Sequence, residues 1–332
     1  METDSILRTL SKFSGISPYV GSHEELVLDL IPFHIPQLDM MIGSGIPCGR
    51  FVELTGDWGV GKSFLTQRII WSAQRLGRQC VYFNVENKFD PIWFHKTGVN
   101  LNDLIVVQGN ALEDIIDACI ALIKEKVGLI VVDSIASMLP TLEEEGDMAD
   151  NTIALQARQS SKGFRKMTGP LSSSKTSVVF TNQLRSSIGG YGGSVYPGGR
   201  AQNFYSSMTL AVRRGEWIVN EGNERIGFQM VVRTDKNTIA PPYRECALPF
   251  YFEGFVDMAE SICTMALDNG FITQSGAWFT VGDNRFQGRG NMHKFFQENP
   301  EELKNLSSQV SAFLLPQNNM EVMTNGTDPE TT

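Results

Sequence analysis

Gly56-Asp57-Trp58-Gly59-Val60-Gly61-Lys62-Ser63 is where residue types and spacing point most directly to chemistry. It fits glycine, four residues, then Gly-Lys-Ser/Thr, and it lies between an apolar run (FVELT) and a segment with helical spacing (FLTQRII). In that setting the backbone N–H groups of all eight residues wrap phosphates, and the following helix adds its N-terminal dipole. Lys62 then reaches the β- and γ-phosphates, and the Ser63 hydroxyl holds Mg²⁺. A strand ending in aspartate follows, Leu129-Ile-Val-Val-Asp133, placed 71 residues beyond Lys62. Alone it reads as a turn-forming residue. With a strand–helix–strand pattern between the two, Asp133 is the expected second Mg²⁺ holder. The combination predicts a site for ATP and Mg²⁺.

Two further polar residues close neighbouring apolar runs: Glu86 ends CVYFNVE and Gln183 ends SVVFTNQ. Ligands of open α/β sheets bind at the carboxyl ends of the strands, so both face the γ-phosphate in this reading. A carboxylate there positions and deprotonates the attacking water. An amide there senses the γ-phosphate and signals to the loop that follows. The competing reading makes each a solvated strand-end residue.

The segment after Gln183 runs Leu184-Arg185-Ser186-Ser-Ile188-Gly189-Gly190-Tyr-Gly-Gly-Ser-Val-Tyr-Pro-Gly198-Gly199-Arg200 and has no acid. Its glycines, arginines and aromatics suit a single-stranded phosphate backbone with stacked or wedged bases. Upstream, Arg158, Lys162, Arg165 and Lys166 fall at three- and four-residue spacing along one helix face. Such charges are usually a solvated face, but no acidic partner accompanies these. Overall the 332 residues carry 28 Lys+Arg against 37 Asp+Glu, a net charge of −9. The distribution says more than the total: residues 1–150 carry −10, residues 151–250 carry +8 and residues 251–332 carry −7. No acid occurs between Asp150 and Glu216. A basic band between acidic flanks points to a polyanion.

The length suits one large core plus a small appended unit, and 42% apolar with 20% charged residues marks a folded chain. No run approaches the ~20 apolar residues of a membrane span, and METDSILRTL lacks the features of a signal peptide. Five scattered cysteines, never in a C-x-x-C pair, fit a reducing, cytoplasmic setting with neither a disulfide framework nor a zinc site. The four histidines lack ligand spacing, so no transition metal is assigned.

The elements that must position these residues are legible in outline. Residues 4–13 have helical spacing, and LVLDLI reads as a lone strand; both pack either on the core or on a neighbouring subunit. From residue 49, RFVELT, QCVYFNVE, LIVVQ, GLIVVD and TSVVFTNQ alternate with helical segments at 62–76, 112–125 and 151–167. That predicts a P-loop α/β core with a mainly parallel twisted sheet flanked by helices. MTLAVRR, GFQMVVRT and ECALPFYF extend it with antiparallel strands. Predicted boundaries are an N-terminal oligomerisation segment (1–34), the ATPase core (35–253), a small α/β C-terminal lobe (254–315) and a disordered tail (316–332).

These stretches in order resemble the bacterial RecA recombinase family over about residues 35–315. The resemblance rests on IPQLDMMIGSGIPCGRFVELTGDWGVGKS, NVENKFDPIWFHKTGVN, LIVVDSIASMLP, EEEGDMAD, LQARQSSKGFRKM, FTNQLRSSIG, NFYSSMTLAVRR, DKNTIAPP and GAWF. It implies a filament former on single-stranded DNA that hydrolyses ATP and exchanges homologous strands. Its partners are then single-stranded DNA, homologous double-stranded DNA, further copies of itself, and a single-strand-binding protein or mediator, with no membrane. Glu86 matches the family's water-activating glutamate and Gln183 its γ-phosphate sensor. Asp90, Trp93 and Tyr251 match the adenine contacts. The turn Glu143–Asp150 and the helix start with Arg158 correspond to the first DNA loop, and Leu184–Gln202 to the second; Arg165, on the same basic helix face, is a further DNA-binding candidate. Phe204 and Lys236 match the ATP interface between subunits, and Arg213, Arg214 and Arg233 the band for incoming duplex.

Departures accompany the likeness. Asp57-Trp58 replaces a usual Pro-Glu, Asn203 and Thr238 replace family lysines, and Arg200, Arg233 or Arg244 are candidates to substitute for those charges. The less acidic tail and divergent N-terminus suggest a phage-encoded member. Two rivals to the recombinase reading are a ring-shaped motor or helicase on the same fold, and a DNA-coating mediator without strand exchange.

Overall fold

Side chains alternate along Phe51–Gly56, and every residue of this strand is buried on whichever face it points to. The same holds for Leu129, Ile130, Val131 and Val132, each 0% exposed. Burying each such side chain contributes about 1.5–3 kcal/mol. Strands apolar on both faces need cover on both sides, which sets the architecture.

A computed structural model describes residues 2–13, 17–21, 23, 26–144, 155–183, 185–186, 194–195 and 204–314. Helix α1 (Glu2–Leu10) comes first, with Ile6 and, just beyond it, Phe13 exposed. Of LVLDLI only β1 (Leu30–Ile31) is a strand, beside α2 (Pro36–Ile42) and paired with β2 (Ile46–Pro47). The pairing is short because the chain turns tightly: a Cβ at Gly45 would lie 2.6 Å from the Ile31 carbonyl oxygen. Asp39 ties this corner by accepting from the Phe33 and Ile35 amides (2.7 and 3.2 Å).

The core follows as β3 (Phe51–Gly56), α3 (Lys62–Arg75), β4 (Cys80–Asn84), α4 (Pro91–Lys96), β5 (Leu104–Gln108), α5 (Leu112–Lys124), β6 (Leu129–Asp133), α6 (Thr141–Glu144), α7 (Leu155–Ser172) and β7 (Ser177–Gln183). The short strands β8 (Arg185–Ser186) and β9 (Ser194–Val195) pair antiparallel. Then come the long β10 (Met208–Val219) and β11 (Arg225–Asn237), β12 (Glu245–Tyr251) and β13 (Phe255–Val256). Among the described residues the main sheet orders as β13-β12-β11-β10-β3-β7-β6-β4-β5. From β10 to β5 all neighbours are parallel, and β11 to β13 extend the sheet antiparallel. The mainly parallel, helix-flanked sheet expected from the sequence is thus the observed fold.

One buried cluster fills the face under α3, with Leu54, Leu65, Ile69, Val131 and Val179. A second fills the opposite face under α5 and α7, with Phe83, Ile116, Val132, Phe164 and Phe180. Beyond the sheet lie α8 (Met258–Asp268), the three-stranded β14 (Thr273–Ser275), β15 (Trp278–Val281) and β16 (Asn284–Gln287), α9 (Arg289–Glu298) and α10 (Pro300–Leu314). They enclose a third cluster including Ile262, Met265, Phe279, Met292 and Val310, against which Met40 of α2 packs. The five cysteines are all buried and unpaired, distributed over the three clusters. The predicted tail from 316 onward lies outside the described residues.

Candidate nucleotide site and DNA-facing surface

Gly56 ends β3 at φ 154°, and a Cβ there would sit 2.2 Å from the Val212 carbonyl oxygen of β10. Gly61 stands at φ 98°, with the Met230 side chain 2.8 Å from its would-be Cβ. Only glycine tolerates both the left-handed backbone and the approach of the neighbouring strands. The chain therefore turns sharply from β3 into α3, whose first residue is Lys62. The Lys62 ammonium closes over the loop and donates to the carbonyls of Gly56 (2.9 Å) and Asp57 (2.6 Å). Burial lowers its pKa, and the charges of Asp133, Glu86 and Asp57 act against that shift. Within the loop Asp57 accepts the Trp58 amide (2.8 Å), leaving the Trp58 ring 73% exposed.

The carboxyl edge of the sheet gathers the other polar residues. Asp133, at the end of β6, accepts from Ser63 Oγ (3.1 Å) and Tyr82 OH (2.9 Å) through Oδ2, and from Thr181 Oγ1 through Oδ1. Its peptide bond to Ser134 is cis. A hydroxyl beside a carboxylate oxygen is a hard-oxygen donor pair, which suits Mg²⁺. The Tyr82 and Thr181 donors fix the carboxylate's orientation, as supporting groups do around metal ligands. Burial, and then the Asp133 charge, push the Tyr82 phenol far above its usual range, so it stays a donor.

Glu86 sits one strand over. Its Oε1 accepts from Gln183 Nε2 (2.9 Å) and Ser134 Oγ, and its Oε2 pairs with Lys88 Nζ (2.7 Å). Burial alone would raise its pKa, but hydrogen bonds from Lys88, Ser134 and Gln183 outweigh it and leave the carboxylate below its ordinary value. The structure thus brings Lys62, Ser63, Glu86, Asp133 and Gln183 to one edge, where Ser63 is hydrogen-bonded to Asp133 and Gln183 to Glu86. Glu86 and Gln183 contact each other, so neither is simply a solvated strand end.

At the other end of the cleft, Asp90 caps α4 by accepting from the Ile92 and Trp93 amides (2.9 and 3.3 Å). The Trp93 ring lies against Gly254, where a Cβ would meet it at 3.1 Å. Tyr251 stacks on Phe255 with ring centres 4.9 Å apart, and its carbonyl accepts the Gly254 amide. The aromatics singled out from sequence thus flank one glycine turn.

The basic positions divide by surroundings. Arg158 and Arg165 are exposed on α7, with Lys162 and Lys166, while Phe164, Met167 and Leu171 face inward. Gln156 anchors the start of that helix to the Ile135 and Met138 carbonyls (3.0 and 2.8 Å). Arg213 pairs with Glu245 (2.8 Å) and Arg233 with Asp235 (2.7 Å), while Arg214 lies 4.6 Å over the Trp217 ring. Phe204 is 78% exposed, and its carbonyl accepts from Lys236 Nζ (3.0 Å), which joins the two interface candidates. Arg185 and Ser186 form β8. Ile188, Gly189, Gly190, Gly198, Gly199, Arg200 and Asn203 lie outside the described residues, as do residues 145–150 of the acidic turn.

Tyr82, Lys88, Ser134 and Thr181 went unrecognised in the sequence. Tyr82 and Thr181 carry a usable signal: each lies two residues before the polar last residue of its strand, Asn84 of β4 and Gln183 of β7, and shares that residue's face. Ser134 carries none, because its partner Glu86 comes beside it only in the fold, and Lys88, two residues from Glu86, reads as an ordinary exposed lysine.

Two family models cover this chain: the RecA N-terminal domain matches residues 6–256 and the RecA C-terminal domain matches residues 260–315. The chain is similar to Protein RecA of Chloroflexus aurantiacus, with 38% identity over 280 residues spanning 83% of this chain and 80% of the relative. It is also similar to Protein RecA of Thermus aquaticus, 36% identical over 92% of both chains. Protein RecA of Haemophilus ducreyi is 36% identical over 89% of this chain and 81% of its own.

Proposed function

The chain belongs to the bacterial RecA recombinase family, and we propose that its own residues carry that family's reaction in the roles set out below. It is an ATP-dependent recombinase that polymerises on single-stranded DNA and pairs and exchanges homologous strands, with DNA-stimulated ATP hydrolysis. The single observation that carries the assignment of roles is the hydrogen-bonded chain Ser63–Asp133 and Ser134–Glu86–Gln183 at one sheet edge, with Lys62 on the loop beside it.

The loop Gly56–Ser63 cradles the phosphates of ATP, and Lys62 exchanges its two loop carbonyls for phosphate oxygens. Ser63 and Asp133 would hold Mg²⁺, and the ion would supply positive charge against the phosphates. Glu86 orients the attacking water. A carboxylate kept below its ordinary pKa is a weak base, so release from Lys88 and Gln183 is what raises its basicity. Gln183 changes partner from Glu86 to the γ-phosphate and passes that change directly to Leu184 and the loop behind it. Asp90, Trp93 and Tyr251 receive the adenine. Arg158, Arg165 and the segment from Arg185 to Arg200 grip single-stranded DNA, and Arg213, Arg214 and Arg233 meet the incoming duplex. Phe204 and Lys236 face a neighbouring subunit, and residues 1–34 dock on that neighbour. We place the reaction in the bacterial cytoplasm, with a single-strand-binding protein or mediator as a further partner. The less acidic tail and divergent N-terminus favour a phage-encoded member. Among the described residues no helix is long and apolar enough to cross a membrane.

The deciding experiment is strand exchange with homologous and heterologous duplex. Product from the homologous duplex alone is expected. ATP hydrolysis with closed rings in negative stain and no exchange would instead indicate a motor. Affinity for single-stranded DNA should also fall as salt rises, with a log–log slope near −0.7 per phosphate neutralised. A flat response would remove the basic band from the binding surface.

A further inference from the structure

Glu53 lies in the middle of the central strand β3, 0% exposed, on the face covered by α7. A carboxylate there without full hydrogen bonding costs several kcal/mol. Its contacts follow a specific pattern. Glu53 Oε1 accepts from Asn182 Nδ2 at 3.2 Å. The other atom of each group, Glu53 Oε2 and Asn182 Oδ1, is buried with no hydrogen-bond partner. Two planar groups already joined through one donor–acceptor pair, each left with an unsatisfied oxygen, lack one shared proton. A hydrogen on Oε2 would donate to Oδ1 and satisfy both at once.

The surroundings favour the neutral form. Thr209 is the register neighbour of Glu53 on β10, and its hydroxyl is likewise unsatisfied, as is that of Thr55. The charged groups near Glu53 are Asp235 and Lys236, both on β11. They act in opposite directions, and β7 and β10 present Asn182 and Thr209, which carry no charge. Lys236 Nζ is engaged by the Phe204 carbonyl at 3.0 Å. Burial is the leading influence on Glu53 and pushes its pKa up to about 7, against the Asn182 hydrogen bond.

We infer that Glu53 is held as a neutral carboxylic acid paired face to face with the Asn182 carboxamide, and that this pair is a positioning element for Gln183. Asn182 and Gln183 are consecutive, and their side chains leave opposite faces of β7, one to Glu53 and the other to Glu86. Clamping Asn182 from behind fixes the direction in which Gln183 projects. Ionisation of Glu53 would release the proton to water, leave Asn182 Oδ1 without a donor and loosen the strand end. The positioning part of this inference rests on the γ-phosphate-sensing role of Gln183, whereas the acid–amide pair does not.

The test uses the full chain and two variants. Glu53→Gln restores both hydrogen bonds as an amide–amide pair, and Glu53→Leu removes them. Burial also raises Asp39 to about 7, so the infrared readout in D₂O is the native-minus-Glu53→Gln difference, which should show the carbonyl band of a protonated carboxylic acid at pH 6 and lose it by pH 9. The raised native pKa, against an ordinary unfolded one, makes Glu53 lower the stability of the native chain as pH climbs from about 4.5 to about 7. The melting temperature of Glu53→Gln relative to the native chain should therefore rise across that window. In DNA-stimulated hydrolysis Glu53→Gln should keep its kcat within about twofold and stay flat above neutral pH, where the native rate declines. Glu53→Leu should lose at least about tenfold in kcat with KM for ATP little changed. Absence of that band from the native-minus-Glu53→Gln difference at pH 6, or a Glu53→Gln variant as impaired as Glu53→Leu, overturns the proposal. A native chain without ATPase would defeat the functional assignment instead, while the infrared and melting results would still decide the pair.

Discussion

Lys62→Ala is expected to abolish ATP hydrolysis and the ATP-stimulated part of single-stranded DNA binding, while the melting temperature stays close to that of the native chain. The ammonium sits in a loop of carbonyls and N–H groups, with Gly56 O and Asp57 O as its partners. Alanine leaves the carbonyl of exposed Asp57 to water and removes one partner from that of buried Gly56, so the structural penalty is small. The functional penalty is large because the phosphates lose their positive partner where burial has already stripped Lys62 of water. Loss of one preorganised electrostatic contact of this kind typically costs 10²–10³ in rate, about 2.7–4 kcal/mol. Phosphate release, measured with and without single-stranded DNA, is the readout. Normal turnover in this variant would sink the assignment of the loop.

Glu86→Gln separates binding from chemistry. The amide is nearly isosteric, and its oxygen can still accept from Ser134 and Gln183 as Glu86 does now. Its ion pair with Lys88, a residue three-quarters exposed, contributes little and is easily forgone. Nucleotide binding and filament formation should persist, and turnover should fall at least ~100-fold, the usual scale for losing acid–base help. Unimpaired hydrolysis would move the water-orienting group elsewhere.

Legibility followed the range of the interaction. The phosphate loop, the strand ending in Asp133 and the strand-end positions of Glu86 and Gln183 are local patterns, and each is found at the predicted carboxyl edge. The near-continuous apolar runs likewise identified the parallel sheet, because burial on both faces leaves its mark within a single strand. The pairing of Tyr82 and Thr181 with Asp133, of Ser134 with Glu86, and of Glu53 with Asn182 was not legible, although Tyr82 and Thr181 each show which strand face they occupy. These pairings join residues up to 129 positions apart through lateral strand order, to which one-dimensional periodicity is blind. Glu53 is the sharpest case. In FVELT it reads as the polar position of an alternating strand, yet it is among the most deeply buried groups in the protein.

The distribution of cysteines has a practical consequence. Cys80 and Cys119 are pushed up to about 12 by burial, and Cys246 and Cys263 likewise, while Cys48 is raised for the same reason. At neutral pH almost none of these thiols is a thiolate, so alkylating reagents find no nucleophile in the folded chain. Any labelling must report a transient opening of the cluster that holds the modified thiol. Cys119 reads the α5–α7 side of the sheet, Cys48, Cys80 and Cys246 the α3 side, and Cys263 the C-terminal lobe. The chain therefore carries its own set of clocks, from which residue-resolved alkylation rates reveal whether the lobe opens alone or only together with the sheet it leans on.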